Sequence, residues 1–113
     1  MHRVAIERTD RATVILAAGE LDAFAAPDLA SAFEDVSGDQ RVVADLDRVS
    51  FMDSTVLGLI VRASRELTEA GSRIRIVLPT GSARRIFEIT GLDGVLPVAE
   101  TRSAALSELE GQH

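Results

Sequence analysis

Strand-like and helix-like segments alternate along most of this chain, and that alternation limits the folds it can adopt. Before the alternation begins, two apolar segments at 4–7 and 13–17 flank a turn at 9–11, and so short a connection makes two strands antiparallel. The alternating segments that follow predict right-handed crossovers between parallel strands. We therefore expect an α/β fold with a mixed, mostly parallel sheet of four to five strands and about four helices.

Residues that start and stop helices set the expected boundaries. Pro27 suits the first turn of a helix that Gly38 ends, and Gly71 ends the longest helix, at 54–70. On that long helix, Val61 lies outside the apolar arc and is expected to be exposed. The arc comprises Val56, Ile60, Ala63, Leu67 and Ala70. The remaining elements are expected as strands at 42–46, 73–78 and 95–98 (a short edge strand), and as helices at 82–90 and 101–109.

Composition excludes several classes of function. The net charge of −6 argues against sequence-independent nucleic-acid binding, because neutralising phosphates requires a clustered basic surface. The chain contains no cysteine, which excludes disulfides and thiolate metal sites and fits a reducing compartment. No run of about 18 apolar residues occurs, so no segment is expected to insert into a membrane. We expect a cytoplasmic protein.

Catalytic chemistry has little support in the residues. His2 and His113 are the only histidines and lie at the two ends, where solvated side chains are expected. Without an internal histidine, a lysine or a cysteine, the commonest general bases and nucleophiles are missing. Asp22, Asp45 and Asp53 could pair as acid and base, but loop and capping carboxylates are the favoured interpretation. No phosphate-binding loop or metal-ligand spacing occurs, so neither enzymatic activity nor a metal or cofactor is expected.

The segment 51–58 carries the clearest functional pattern, because an acidic residue and two hydroxyls stand where a strand passes into the longest helix. Asp53 or Ser54 can cap the helix, which is worth about 1 kcal/mol, but only one residue can be the N-cap. A hydroxyl in the first turn is accessible and can become a phosphate, which a helix N-terminus tolerates. From spacing alone, capping and regulation remain equally open. The segment 19–22 also follows a strand and is expected to lie beside this one.

These segments together resemble a known family. Gly19-Glu20-Leu21-Asp22, then Val49-Ser50-Phe51-Met52-Asp53-Ser54-Thr55 and Leu57-Gly58, resemble the STAS domain, and more narrowly the bacterial anti-sigma factor antagonists. The segment Arg84-Arg85-Ile86-Phe87-Glu88-Ile89-Thr90-Gly91-Leu92 is similar to the penultimate helix of that family. The resemblance covers essentially the whole chain, so a single STAS domain over residues 1–113 is expected.

The resemblance implies a non-enzymatic regulator of transcription that works by partner switching. In that family, the unphosphorylated antagonist binds an anti-sigma factor that is also a serine/threonine kinase, and the sigma factor is freed. Phosphorylation dissociates the complex, and a metal-dependent protein phosphatase restores it. The implied acceptor is Thr55, with Ser54 as the second choice. Asp22 and Asp53 match acidic residues near the acceptor.

Val56 departs from the family pattern, which commonly has a small residue, often glycine, at that position. A branched side chain there narrows access to the backbone and could alter the choice of kinase. An alternative function is that of a STAS adaptor subunit in a membrane transport complex, with docking through the long helix. The residues expected to bind a partner are Asp22, Asp53, Ser54, Thr55, Leu57 and Val61.

Overall fold

A computed structural model describes residues 1–110, in which five strands form one sheet. The strands lie side by side in chain order, the first two antiparallel and all the others parallel to their neighbours. The α/β fold predicted from the alternating pattern is therefore confirmed. The strands are His2–Arg8 (β1), Thr13–Leu21 (β2), Arg41–Met52 (β3), Arg73–Val77 (β4) and Val98–Ala99 (β5).

The helices also follow the predicted order. They are Ala26–Asp35 (α1), Ser54–Glu69 (α2), Arg85–Thr90 (α3) and Arg102–Glu110 (α4), with short 3₁₀ turns at Gly81–Arg84 and Leu92–Gly94. Thr101 caps α4, because its Oγ1 accepts a hydrogen bond from the Ala104 N–H at 3.0 Å. Among these helices, none is long and apolar enough to cross a membrane.

Helices cover both faces of the sheet. The larger core lies between the sheet and the helices α1, α2 and α3, and includes Leu29, Ile60 and Phe87, none of which is exposed. A smaller core forms on the opposite face, where Ala105 and Leu109 of α4 pack with Val14 and Val43. Because successive side chains of a strand point to opposite faces, β2 and β3 contribute to both cores.

The last strand differs from the prediction, which placed it at 95–98. Val95 is 76% exposed, and its N–H donates to the Leu92 carbonyl within the turn that follows α3. Pairing with β4 begins at Pro97, whose carbonyl accepts a hydrogen bond from the Ile76 N–H at 2.8 Å. The strand therefore lies at Val98–Ala99, because the preceding residues are used to close the turn.

The buried face of α2 is rotated from the predicted arc. Leu57 and Ser64 are buried with Val56, Ile60 and Leu67, whereas Ala70 is exposed. Val61, which was expected to be exposed, is half-buried against the larger core. The expectation was wrong because Val61 lies one turn beyond Leu57, on the side of the helix that faces Leu92.

Strand β3 extends six residues beyond the predicted end at residue 46. Its second half is mixed in polarity, and Arg48 and Ser50 are exposed there. The parallel pairing with β2 nevertheless continues to Leu21 opposite Met52, through two irregularities of register. The extension brings the chain to Asp53 at the carboxyl-terminal edge of the sheet.

Candidate functional site

The ends of β2 and β3 bring the two predicted site segments together. Glu20 lies opposite Phe51 and Leu21 opposite Met52 in the parallel register. The Asp53 N–H donates to the Leu21 carbonyl at 3.2 Å, so the pairing continues to the start of α2. The expectation that segments 19–22 and 51–55 are neighbours is confirmed.

Gly19 is required where β2 bends at this edge. Its φ of +82° lies in the left-handed region, and an added Cβ would lie 2.3 Å from the Met1 carbonyl oxygen. That carbonyl accepts a hydrogen bond from the Glu20 N–H, while the Met1 amine donates to the Glu20 carboxylate at 2.8 Å. The hydrogen bond and the charge of Glu20 raise the pKa of the amine. Because Gly19 has no side chain, the Met1 backbone can lie close enough to form these hydrogen bonds with Glu20.

Asp53 is the N-cap of α2. Its backbone is extended, and its Oδ1 accepts a hydrogen bond from the Val56 N–H at 3.0 Å. Ser54 and Thr55 occupy the next two positions and are both exposed. Within residues 1–110, neither hydroxyl makes a hydrogen bond. The cap is therefore complete without them, and both hydroxyls face outward in the first turn.

Asp22 has a comparable local role at the start of α1. Its Oδ1 accepts hydrogen bonds from the N–H groups of Phe24 at 3.0 Å and Ala25 at 3.3 Å. Its carbonyl accepts from Ala25 and Ala26, which closes the turn that leads into the helix. Asp22 and Asp53 thus each use one carboxylate oxygen to order the backbone at the edge, and both contribute negative charge there.

Asp45 and the histidines lie elsewhere. Asp45 is 6% exposed on the α4 side of the sheet, where its Oδ2 accepts a hydrogen bond from Arg102 Nε at 2.9 Å. It is therefore a structural ion-pair partner, neither a loop nor a capping carboxylate. His2 was expected to be solvated but is half-buried in β1, with its Nε2 2.7 Å from Asp28 Oδ2. His113 lies outside the described residues.

The side chain of Val56 points into the larger core and is not exposed at all. That the branched side chain narrows access to the backbone and alters the choice of kinase stays a prediction. Leu57 is 6% exposed and lines a shallow hollow of about 410 Å³ together with the half-buried Val61. The complete lining of this hollow is Ser54, Leu57, Gly58, Val61, Arg62, Arg65 and Leu92.

Two exposed phenylalanines belong to the same edge, and sequence reasoning missed them. Phe24 is 86% exposed in the turn after Asp22, and Phe51 is 50% exposed two residues before Asp53. Phenylalanine is the only one of Phe, Tyr and Trp in the chain and occurs four times, and two of the four rings are exposed near the carboxyl ends of β2 and β3. Alternation along β3 gave no signal for Phe51, because it lies next to the exposed Ser50, between the buried Val49 and Met52.

This edge is suited to binding and modification. The described residues contain no cluster of three or more histidine, aspartate or glutamate side chains that could hold a metal ion. The functional groups at this edge are the two hydroxyls in the first turn of α2, two carboxylates and two exposed phenylalanine rings. A surface of this kind can dock a protein and can accept a phosphate at the N-terminus of a sixteen-residue helix.

The family model of the STAS domain matches residues 3–105. The chain belongs to the STAS domain family. This STAS domain is 37% identical over 86 residues to the anti-sigma-B factor antagonist of Listeria monocytogenes, covering 74% of the chain and 75% of that protein. It is 34% identical over 84 residues to the Staphylococcus aureus protein of the same name, covering 73% and 78%.

Solved structures agree with this assignment. An anti-sigma factor antagonist from Mycobacterium paratuberculosis superposes on the STAS domain with a TM-score of 0.87 at 28% identity, covering 97% of this chain and 95% of that one. Unphosphorylated SpoIIAA gives a TM-score of 0.78 at 26% identity, covering 98% and 99%. Bacillus SpoIIAA in its phosphorylated form gives 0.71 at 26% identity, covering 95% and 99%.

Proposed function

We propose that this STAS domain is an anti-sigma factor antagonist that binds, in its unphosphorylated form, an anti-sigma factor with serine/threonine kinase activity. Binding frees the sigma factor, phosphorylation of a hydroxyl in the first turn of α2 releases the partner, and a metal-dependent phosphatase resets the domain. The observation that carries the proposal is the completed cap. Because Asp53 already binds the Val56 N–H, Ser54 and Thr55 are left as exposed hydroxyls.

The relatives favour this function over that of a transport adaptor. Both bacterial relatives described above bear the name of anti-sigma-B factor antagonist, and they match about three quarters of the chain. SpoIIAA, an anti-sigma factor antagonist by name, has been solved in both unphosphorylated and phosphorylated forms. A fold shared with a protein that exists in both forms supports a switch that leaves the domain folded.

Electrostatics give the switch a physical basis. A phosphate on Ser54 or Thr55 adds about −1.5 to −2 charges at neutral pH. The free N–H groups and partial positive charge of the α2 N-terminus offset part of that charge, so the fold is expected to survive. A partner surface that fits neutral hydroxyls beside Asp53 would instead have to desolvate a doubly charged group. A loss of about 3 kcal/mol already weakens binding more than a hundredfold.

Thr55 is the acceptor implied by the family resemblance, and Ser54 is the second candidate. Both side chains are exposed, and both lie within the first turn of α2. Ser54 also lines the hollow beside α2, which Thr55 does not, and this gives a structural reason to test the two with equal care. Single alanine variants at the two positions show which hydroxyl accepts the phosphate.

The test uses the purified chain, a kinase-type anti-sigma factor from the same genome, and ATP. Thr55→Ala is expected to bind the anti-sigma factor with unchanged affinity and to remain unphosphorylated, as mapped by mass spectrometry. Thr55→Glu is expected to fold normally, by circular dichroism, and to bind at least about tenfold more weakly. Ser31→Ala, at an exposed serine of α1, is the matched control and should behave as wild type.

Two results would change the assignment. If Ser54→Ala abolishes phosphorylation and Thr55→Ala does not, the acceptor is Ser54 and the rest of the proposal stands. If the double variant Ser54→Ala/Thr55→Ala is still phosphorylated and released, the α2 N-terminus is not the switch.

A further inference from the structure

Gly58 lies in the second turn of α2, where nothing in the fold requires a glycine. Glycine inside a helix is less favourable than alanine, because it loses more conformational freedom on folding. Gly58 is exposed, and its φ lies outside the left-handed region. A Cβ added there would meet no atom within 4 Å. Within residues 1–110, neither packing nor backbone conformation therefore accounts for the missing side chain.

The surroundings of Gly58 point to a reason outside the chain. Gly58 lines the hollow beside α2, which has apolar walls from Leu57, Val61 and Leu92. Arg62 and Arg65 stand over the same hollow, and neither forms an ion pair with any described residue. Arg84, by contrast, is shared between two glutamates on α3 and beyond it. Among the described residues that line the hollow, Arg62 and Arg65 are the only charged ones, so the hollow itself is basic in a chain of net charge −6.

We infer that this hollow receives an acidic segment of the anti-sigma factor, whose backbone packs against Gly58 and whose carboxylates pair with Arg62 and Arg65. The inference rests on the proposed function, because that function supplies the partner. A missing Cβ allows the closest approach of a second backbone to the helix. Arginine binds carboxylates through two parallel hydrogen bonds, which favours an acidic occupant.

The position of the hollow connects docking with release. Ser54 lies at its end, one helical turn before Gly58, and Thr55 follows in the same turn. A phosphate on either hydroxyl places about −1.5 to −2 charges beside the bound acidic segment. Like charges then oppose each other across the interface, so phosphorylation and occupancy of the hollow become mutually unfavourable.

The decisive variant is Gly58→Ala, which separates stability from binding. Because alanine favours the helix, its thermal unfolding midpoint is expected to rise by about 2 to 5 °C. Its affinity for the anti-sigma factor is expected to fall at least about tenfold in calorimetric titration, because the methyl group holds the partner's backbone away. Gly38→Ala adds the same methyl group at another exposed glycine with open space around it, and should bind as wild type.

Charge reversal tests the acidic character of the occupant. Arg62→Glu/Arg65→Glu is expected to weaken binding at least about tenfold at low salt and to reduce the salt dependence of the affinity. Arg3→Glu reverses an exposed arginine on β1 that also lacks an ion pair among the described residues, and should change the affinity by less than about twofold.

The outcomes separate this inference from the function on which it rests. If wild type binds the anti-sigma factor and both Gly58→Ala and the charge-reversed variant bind equally well, the inference is wrong and the proposed function stands. If Gly58→Ala lowers the unfolding midpoint, the fold itself needs the glycine, and the inference is again wrong. If wild type binds no anti-sigma factor, the proposed function fails and takes the inference with it.

Discussion

At the N-terminus of α2, the cap is made by Asp53 and leaves the hydroxyls of Ser54 and Thr55 exposed. The carboxylate of Asp53 binds the Val56 N–H, and its carbonyl accepts the Leu57 N–H at 3.1 Å. The backbone N–H groups of Ser54 and Thr55 have no partner within residues 1–110 and remain available to a phosphate. Because the cap does not involve the hydroxyls, their modification need not disturb the start of the helix.

Replacing the cap should therefore lower stability whether or not the hydroxyls are present. Asp53→Ala leaves the Val56 N–H without an acceptor and is expected to reduce the free energy of unfolding by about 1 kcal/mol, measured by urea denaturation. Asp53→Asn keeps an oxygen in the same place, so its free energy of unfolding is expected to fall by only a few tenths of a kcal/mol. Equal stability of the alanine and wild-type chains would show that the carboxylate does not cap α2.

Among the elements, those with local signals were predictable and those that depend on distant contacts were not. The bounds of α2 follow from Asp53 at its start and Gly71 just beyond its end. The second half of β3 was missed because exposed polar residues such as Arg48 interrupt its apolar pattern. The neighbouring position of segments 19–22 and 51–55 was predictable, since parallel strands share one edge.

The exposed rings at that edge illustrate the same limit. Phe24 and Phe51 are apolar residues whose exposure depends on which part of the sheet the helices leave open, and no local pattern reports this. Buried aromatic anchors commonly dominate the energetics of protein interfaces. We therefore expect the two rings to be the residues of the edge that anchor a partner.

Removing either ring should weaken binding without changing stability. Phe24→Ser and Phe51→Ser are each expected to alter the free energy of unfolding by no more than about 0.5 kcal/mol. Each should weaken binding of the anti-sigma factor by at least about tenfold, measured by surface plasmon resonance. Ile89→Ser, at a 75% exposed residue of α3 that does not line the hollow, is the matched control. If Phe24→Ser, Phe51→Ser and Ile89→Ser all weaken binding equally, the two rings at the edge have no special role in binding.

Helix α4 is held by an ion pair that the sequence did not reveal, because its members lie 57 residues apart. The Asp45 side chain is 8% exposed and binds Arg102, which also contacts Glu7 at 3.2 Å. Burial lowers the pKa of Arg102, but hydrogen bonds and charge from Asp45 and Glu7 outweigh it and raise the pKa overall. The pair joins α4 to the middle of β3, on the face opposite α1 and α2.

Breaking this pair should cost more than losing the cap. Asp45→Ala leaves Arg102 without its main partner and is expected to reduce the free energy of unfolding by about 2 to 4 kcal/mol, less than for a fully buried pair because Arg102 is 35% exposed. Asp45→Asn keeps an acceptor for the Asp47 N–H and should cost less. Urea denaturation of both variants and of Arg102→Met measures these losses, which are to be compared with that of Asp53→Ala. If the double variant Asp45→Ala/Arg102→Met loses as much free energy of unfolding as the two single variants lose in sum, the two side chains do not stabilise each other.

In the whole molecule, helices cover both faces of the sheet, while residues at its carboxyl-terminal edge such as Ser54 and Thr55 remain exposed. Contacts between distant parts of the chain support this arrangement. Met1 is bound to Glu20 at the edge, and the Arg11 turn is bound to Glu110 at the end of α4, 99 residues away. Both ends of the described chain are therefore bound to β2 or to the turn that precedes it.

The contact between Arg11 and Glu110 predicts a pH dependence of stability. The hydrogen bond and charge of Arg11 lower the pKa of Glu110 below its ordinary value. A carboxylate whose folded-state pKa is lowered stabilises the fold above its unfolded-state pKa, and this contribution is lost as the pH falls through the folded-state pKa. Arg11→Gln should therefore unfold at lower urea concentration than wild type at neutral pH, and the difference should shrink as the pH falls through the lowered pKa of Glu110.

The effect is expected to be small and sensitive to salt, because both side chains are about 40% exposed. Arg3→Gln, which removes a charge from β1 without breaking a described ion pair, controls for the change in net charge. An NMR titration of the Glu110 carboxylate provides the direct readout, since its pKa should return toward the ordinary value in Arg11→Gln and stay low in Arg3→Gln. If the urea midpoints of Arg11→Gln and wild type differ equally at neutral and acid pH, the ion pair is not the cause.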